Sequence, residues 1–455
     1  MINKQLNMFN NKDDKEIKFI DLFAGLGGIR MGFEQSCLDS GFIPNCVFTS
    51  EIKDSAIKAY KDNYQNCEIH GDITKISTSE IPDFDILLAG FPCQAFSYAG
   101  KGLGFLDTRG TLFFEVARIL KDKKPFGFIL ENVEGLVTHD KEKSTDEIGR
   151  TLKIILKTLK DLGYYVQWKV IDSKNYGVAQ SRKRIYILGS KYQNVDMNIE
   201  PEKQLNFGDI KEHNLPIVES KFTSCLLKHY NISDLYGKSI KDKRGGHENI
   251  HSWDIGLKGE LNKNQKDILE KLFRERRKKH WAAEIGIEWM DGMPLTLKQI
   301  STFCKNEDLY LLLEDMVKKG YLVKEYPKKI VQKNIGNGVA QIREQDLTKE
   351  LGYNIVSGKL SFEFTKILDD FSSTPTLVAM DAQKLGVVDV NGIRHLTLRE
   401  GLRLFGYPDN YSLERFNNPR DISKGFDLLG NTVIVPVIKK LANKLLVIYK
   451  QKRDI

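Results

Sequence analysis

The sequence predicts an α/β fold, a doubly wound and mostly parallel sheet, with a second, smaller domain set into the chain. Three observations predict it. Apolar runs alternate with helical patterns through the first third, each run stops at glycine or an acid, and 455 residues exceed what one core accommodates. Residues 17–23 (IKFIDLF) read as the first strand, and AGLGG after them opens a helix that continues through Gln35. Glycines at such a turn let a ligand approach the backbone, although Gly25, Gly27 and Gly28 do not make the GxGxxG spacing of dinucleotide folds. Residues 45–50 are a second strand ending at Glu51, about where an acid meets ribose hydroxyls in nucleotide-binding α/β folds. A third short piece carries Gly71, Asp72 and Ile73. Each of these is also an ordinary turn residue. Three successive strand ends together outline an adenosine site.

Residues 85–90 (DILLAG) have the pattern of a parallel strand covered on both faces, and Gly90 with Pro92 ends it. The octapeptide GFPCQAFS therefore sets Cys93 at the carboxyl edge of the sheet, where such folds bind ligands. A thiolate there is a nucleophile, whereas a free cysteine is otherwise often a buried packing residue. A strand over 126–130, followed by Glu131, Asn132 and Val133, places a carboxylate on the same edge. Residues 164–171 and 184–189 read as paired strands. Along them Gln180, Arg182 and Arg184 alternate so that both arginines share a face, suiting an anionic or carbonyl-bearing ligand or else forming a solvated basic edge.

Apolar content of 41% and charged content of 29% are those of a soluble globular protein. The polar opening MINKQLNMFNNKDDKE reads as neither signal peptide nor anchor, and no run approaches membrane-spanning length. The six cysteines form no CxxC pair, which argues against a zinc ribbon or a disulfide scaffold and fits a reducing cytoplasm. His247 to His251 matches HExxH, but glycines precede it and no apolar helix supports it, so no metal is expected. Net charge is +8, and residues 263–279 alone hold eight basic against three acidic residues, pointing to a polyanionic partner whose phosphates a basic helix over Lys263 to His280 could track.

In order, DLFAGLGG, Glu51, GDI, GFPCQAFS, ENV and QSRKR resemble the blocks of DNA cytosine methyltransferases that methylate carbon 5, of the bacterial restriction-modification type. After a long gap, RHLTLREGLRLFGYPDNY resembles that family's penultimate block and GNTVIVP its last, so that the likeness covers about residues 17–190 and 375–450. The resemblance implies a Rossmann-like domain that uses S-adenosylmethionine. Cys93 would add to carbon 6 of cytosine, Glu131 would bind nitrogen 3 and the exocyclic amine, and Arg184 and Arg182 would hold the base carbonyl or position the thiol. Phe23 would stack on adenine, and Ala24, Gly25, Gly27, Gly28 and Ile29 would line the methionine side. Glu51 would take the ribose hydroxyls, Ile52, Asp72 and Ile73 would surround adenine, and Asn431 and Val433 would return from the last block. The carboxyl-terminal helix is expected beside the first strand, so one domain draws on both chain ends.

The implied partner is double-stranded DNA with its target cytosine rotated out, the glycine-bearing loop 97–109 closing over it. A restriction endonuclease would be a companion in the same system, without physical contact being required, and the expected state is a monomer. The expected layout is a flexible tail (1–16), a catalytic and cofactor-binding domain (17–190), a target-recognition domain (191–374) and a return segment (375–455). Within the insert, two helical stretches and a strand near 295–326 have the order of a small winged-helix unit, although the apolar stripe at Leu309, Leu312, Leu313, Met316 and Val317 equally suits a plain packed helix. An RNA-directed relative would carry proline at Phe91 and a shorter insert, and a non-catalytic DNA-binding module should have lost Cys93 or Glu131.

Overall fold

The computed structural model describes residues 15–65, 67–92, 112–242, 249–335, 338–356, 362–379 and 381–453. They divide into two compact units, one within Met1–Glu212, Asp369–Gln383 and Leu396–Ile455, the other within His213–Leu368 and Lys384–His395. The first unit is organised by seven strands: β1 (Glu16–Leu22), β2 (Ile43–Ser50), β3 (Ile69–His70), β4 (Ile86–Gly90), β5 (Gly127–Val133), β6 (Tyr165–Asp172) and β7 (Lys183–Ser190). Their order is β3-β2-β1-β4-β5-β7-β6, and β7 runs antiparallel to both β5 and β6 while the other pairings are parallel.

The helices α1 (Gly28–Asp39), α2 (Asp54–Asn63), α3 (Leu112–Lys123) and α4 (Arg150–Asp161) follow β1, β2, β4 and β5. Successive side chains of a strand point to opposite faces, so the central strand β4 (ILLAG), covered on both, is apolar along its length. Ile20 and Leu22 of β1 enter one core with Val116 of α3 and Ile155 of α4, while Phe19 turns the other way to meet Phe33 of α1 at 5.0 Å. β5 is longer than its apolar run: Glu131, Asn132 and Val133 remain in the strand, paired with Tyr186, Ile185 and Arg184 of β7. Cross-strand pairing there overrides the turn-like composition of the segment.

The second unit has two cores. One packs α5 (Lys221–His229) on a sheet of β8 (Ser239–Ile240), β9 (Asn249–Ile250) and strands from later in the chain. Asn249 and Ile250 being a strand, the HExxH match has no helix under it; His251 Nδ1 lies 3.2 Å from Asp254, and His247 and Glu248 lie outside the described residues. The other core joins Trp253 and Trp281 to α6 (Lys263–Glu275), α7 (His280–Glu284), α8 (Leu297–Phe303) and α9 (Leu309–Lys319). The basic stretch is thus no single helix. It breaks after Glu275, and Arg276 turns inward to Asn354.

Gly320 ends α9 in the left-handed region (φ 81), and β10 (Leu322–Glu325) follows. Next come the hairpin of β11 (Lys328–Ile335) and β12 (Gly338–Gln345), then β13 (Gly352–Ile355), which pairs with β10 and bridges to Leu295. The first core is completed by β14 (Lys366–Ile367), β15 (Leu385–Asp389) and β16 (Gly392–His395), giving the order β16-β15-β14-β8-β9.

The chain then returns to the first unit through α10 (Leu398–Leu404), α11 (Ile422–Gly430) and α12 (Val435–Lys452). α12 packs on α1 rather than along β1. Gly32 permits this: a Cβ there would stand 2.7 Å from Val435 O and 2.8 Å from Ile438. Among the described residues no helix is long and apolar enough to cross a membrane. Because α12 cannot retreat without opening the core, Gly32→Ala should cost about 1–3 kcal/mol. Thermal unfolding checks this, and an unchanged melting temperature would refute the packing argument.

Candidate active site

Strands are added outward from β1 to β3 and then, from β4, on the opposite side. The carboxyl ends of β1 and β4 therefore diverge, leaving the crevice in which open α/β sheets bind ligands. A cavity of about 420 Å³ lies there. Phe23, Gly25, Glu51, Ile52, Asp72, Ile73, Glu131, Arg182, Arg184 and Asn431 all lie on its wall. Phe23 occupies the left-handed region (φ 55), a backbone state that costs a non-glycine residue about 1–3 kcal/mol and that gathers at ligand sites.

Glu51 is fixed by the backbone. One carboxylate oxygen accepts from Gly25 N at 2.8 Å and the other from Ile52 N and Lys53 N, both at 2.8 Å. Beside it Ile52 is 71% exposed, an apolar side chain on a polar rim. Asp72 caps the short turn at Ile73 by accepting from Thr74 N and Oγ1, and those bonds hold its carboxyl below the usual range. Asn431 donates to Asp427 O, and Asp427 pairs with Lys53, so the last block is tied to the loop after β2.

At the other end of the cavity Glu131 is buried, with Arg184 Nε 3.2 Å from its carboxylate. Burial raises its pKa, against the opposing pull of Arg184 and then Arg182. Gly90 stands opposite it in the β4–β5 register, where a Cβ would lie 3.7 Å from Glu131 Oε2. The two arginines differ. Arg182 is buried, donating from Nη1 to Leu377 O at 3.0 Å and from Nη2 to Gly430 O at 2.8 Å and Thr432 O at 3.1 Å; burial and Arg184 bring its pKa down to about 10.

Ala24, Gly27, Gly28, Ile29 and Val433 are buried but are not on the cavity wall. Gly27 and Gly28 are glycines because of protein neighbours. A Cβ on Gly27 would stand 2.5 Å from the Tyr64 ring, and one on Gly28 2.5 Å from the Tyr407 hydroxyl. Tyr64 and Tyr411 also donate to Gly27 O and Leu26 O, clamping the turn. Cys93 and loop 97–109 lie outside the described residues.

Sequence reasoning passed over Asn132. Its side chain is buried, donates to Phe91 O at 2.8 Å and accepts from Val133 N at 2.8 Å, which fixes the backbone two residues before Cys93. A polar residue in mid-strand beside an acid was the available signal. Gly90, Phe91 and Pro92 line the cavity too.

Fold and cavity define a doubly wound α/β protein with a nucleoside-sized site where strand order reverses. The chain belongs to the family of C-5 cytosine-specific DNA methylases, whose model matches residues 17–447, and it is a DNA methyltransferase acting at carbon 5 of cytosine. It is similar to the Type II methyltransferase M.NlaIV of Neisseria lactamica, 58% identical over 95% of this chain and 99% of that protein. It is 57% identical to M.NgoBV of Neisseria gonorrhoeae over the same shares, and 40% identical to M.BanI of Aneurinibacillus aneurinilyticus over 94% and 96%. A solved protein of an E. coli prophage, assigned as a DNA modification methyltransferase, shares the fold with a TM-score of 0.51 at 17% identity, covering 95% of this chain and 99% of that one.

Asn132→Ala would leave a buried carbonyl unsatisfied, at about 1–3 kcal/mol. Turnover should fall while affinity for the methyl donor stays unchanged; equal turnover would remove Asn132 from the positioning of this strand end.

Proposed function

We propose that the chain methylates a specific site in duplex DNA using S-adenosylmethionine, through a covalent bond from Cys93, and that it serves a restriction-modification system. Glu131 paired with Arg184 in one cavity with Glu51, Ile52 and Asp72 carries the reading. On this reading one cavity holds a base-binding acid at one end and a nucleoside-binding acid at the other. The Type II methyltransferases it resembles across almost its whole length support the biological setting.

The residues fit the cofactor. A carboxylate offers about four lone-pair sites, and three N–H groups occupy Glu51, so its position is fixed with acceptor capacity left for a ribose hydroxyl. Phe23, Ile52 and Ile73 supply apolar surface for adenine, with Asp72 at its edge, and Gly25 leaves room on the methionine side. Ala24, Gly27, Gly28, Ile29 and Val433 support this wall from behind. Asn431 closes it from the last block. When bound, the group supplies an electrophilic methyl carried on a sulfonium.

The chain's residues make cytosine receptive. Carbon 5 is a poor nucleophile until the ring is activated, and carbon 6 is shielded in a stacked duplex, so the nucleotide has to be rotated out at a cost of a few kcal/mol. Cys93 directly follows Pro92 on the cavity wall, and its thiolate would add to carbon 6, shifting electron density onto carbon 5. Glu131 would meet the charge that develops at nitrogen 3, as proton donor or hydrogen-bond partner, in a site where desolvation strengthens the interaction. Arg184 orients Glu131 and stands close enough to contact the base; Arg182, with its Nη donors on three carbonyls, holds the surrounding backbone. Once carbon 5 has taken up the methyl, a base would remove its proton, and the freed electron pair would re-form the ring double bond and expel Cys93 from carbon 6 as thiolate.

A duplex carrying 5-fluorocytosine at the target cannot lose that substituent as a proton, so wild-type enzyme with S-adenosylmethionine should form a conjugate that survives denaturation, and Cys93→Ser should form none. An equal yield of conjugate from both proteins would refute the covalent route. Because burial raises the Glu131 pKa, its protonated form persists to higher pH than that of an exposed acid. The kcat/KM profile should therefore decline as pH rises through that raised value. Glu131→Gln should lower kcat about 100-fold or more and lack this limb; an unaltered profile in the variant would exclude Glu131 as the donor.

A further inference from the structure

In the second core of the inserted unit, helix α6, the bridge at Leu295, helices α8 and α9, strand β10, the β11–β12 hairpin and strand β13 follow in the order of a winged helix whose wing has grown into a ribbon. We propose that this ribbon, and not the helix that reads DNA in most helix-turn-helix folds, determines target sequence, through Gln332, Gln341 and Arg343. The inference rests on the reading of the chain as a duplex-DNA methyltransferase and assigns part of its specificity to one element.

The helix is the poorer reader. Exposed Glu307 and Asp308 stand at the start of α9, Tyr310 and Leu311 are 52% and 64% exposed on its surface, and Glu314 is held by Lys324 at 2.6 Å. Acids at the end of a helix that should enter the groove repel phosphates, and two exposed apolar residues read no polar base edge.

The ribbon has the opposite chemistry. Its strands pair with each other and, among the described residues, with no other strand. At eight residues each they extend about 26 Å, and a two-stranded ribbon is one of the shapes the major groove admits. Within residues 328–345 there are four basic residues against Glu344 alone, a net charge of +3.

The cross-strand register divides the charges between two faces. Lys328 opposite Gln345, Ile330 opposite Arg343 and Gln332 opposite Gln341 form one face, which has no acid among these residues. The other face carries Glu344, and its lysines are engaged, Lys329 with Asp346 at 3.4 Å and Lys333 with Glu344 at 3.6 Å. On the first face Gln332, Gln341 and Arg343 are exposed, and Arg343 makes one long bond, from Nη2 to Trp289 O at 3.4 Å, that a base edge could replace. Glutamine amides and a guanidinium are the groups that bind adenine and guanine edges bidentately. A cross-strand glutamine pair next to an arginine is therefore a reading surface, while the lysines of the opposite face serve the backbone.

The test uses the full-length protein with S-adenosylmethionine and a pool of random-sequence duplexes, scored by bisulfite sequencing. Wild type should yield a consensus around one cytosine. Gln332→Ala with Gln341→Ala, and separately Arg343→Ala, should relax that consensus at defined positions or lower kcat/KM on the consensus duplex by about 5- to 150-fold. The dissociation constant for S-adenosylmethionine and the melting transition should not move. Lys329→Ala on the opposite face should change the salt dependence of binding and leave the consensus intact. Reading-face variants with the wild-type consensus and rate, or with a change in salt dependence alone, would overturn the proposal. No cytosine methylation by the wild-type protein would instead defeat the functional reading beneath it.

Discussion

The first unit depends on one buried guanidinium. Arg182 stands at the start of β7 and donates to the carbonyls of Leu377, Gly430 and Thr432, which come from two segments almost 200 and 250 residues further along the chain. Hydrogen bonds to a charged donor contribute about 1.5–3 kcal/mol each, enough to offset the burial that brings this arginine's pKa down to about 10. Gln180 extends the same seam, donating to Leu404 O and accepting from Leu377 N. Without these contacts Asn431 and Leu428 would have no fixed place on the cavity wall, and a site drawn from both chain ends would lack one side.

With the backbone held in this way, the polar groups of the cavity can be placed under unequal electrostatic conditions. Glu51 sits at the rim among three backbone N–H donors that fix its orientation. Glu131 has been taken out of water and given one close guanidinium, and burial prevails. Two acids on one sheet edge thereby stand in different surroundings, and the proposed mechanism would use one to accept hydroxyls and the other to hold or deliver a proton. Arg184 is the arginine paired with Glu131, while Arg182 places three of its donors on backbone carbonyls.

How much of this was legible in the sequence depended on whether the cause was local. The strand ends were legible, because an apolar run stopped by glycine or an acid has one placement in a parallel sheet. The extension of β5 through Glu131, Asn132 and Val133 was not, because those residues resemble a turn until β7 pairs with them. Gly27 and Gly28 suggested an approaching ligand, yet the groups that exclude a Cβ are Tyr64 and Tyr407, far away in sequence. The alternation in QSRKR placed two arginines on one face but could not show that one of them holds carbonyls. HExxH failed for the converse reason: the spacing was present, but Asn249 and Ile250 form a strand.

The inserted unit separates two demands that the catalytic unit could not meet together. Transfer chemistry needs groups locked to fractions of an ångström, and the sheet supplies this by burying its central strands β1, β4 and β5 almost throughout. Reading a base sequence needs side chains that reach beyond the body into a groove, and a two-stranded ribbon supplies reach because it gives up a third strand. Such a ribbon is only marginally stable alone. Here it is anchored through β10 and β13 to a core containing Trp253, Trp281 and Leu313, and the buried Arg276 beneath it binds Asn354 of β13. On the proposed reading, substitution at Gln332, Gln341 or Arg343 would change sequence choice without altering a residue on the wall of the cavity.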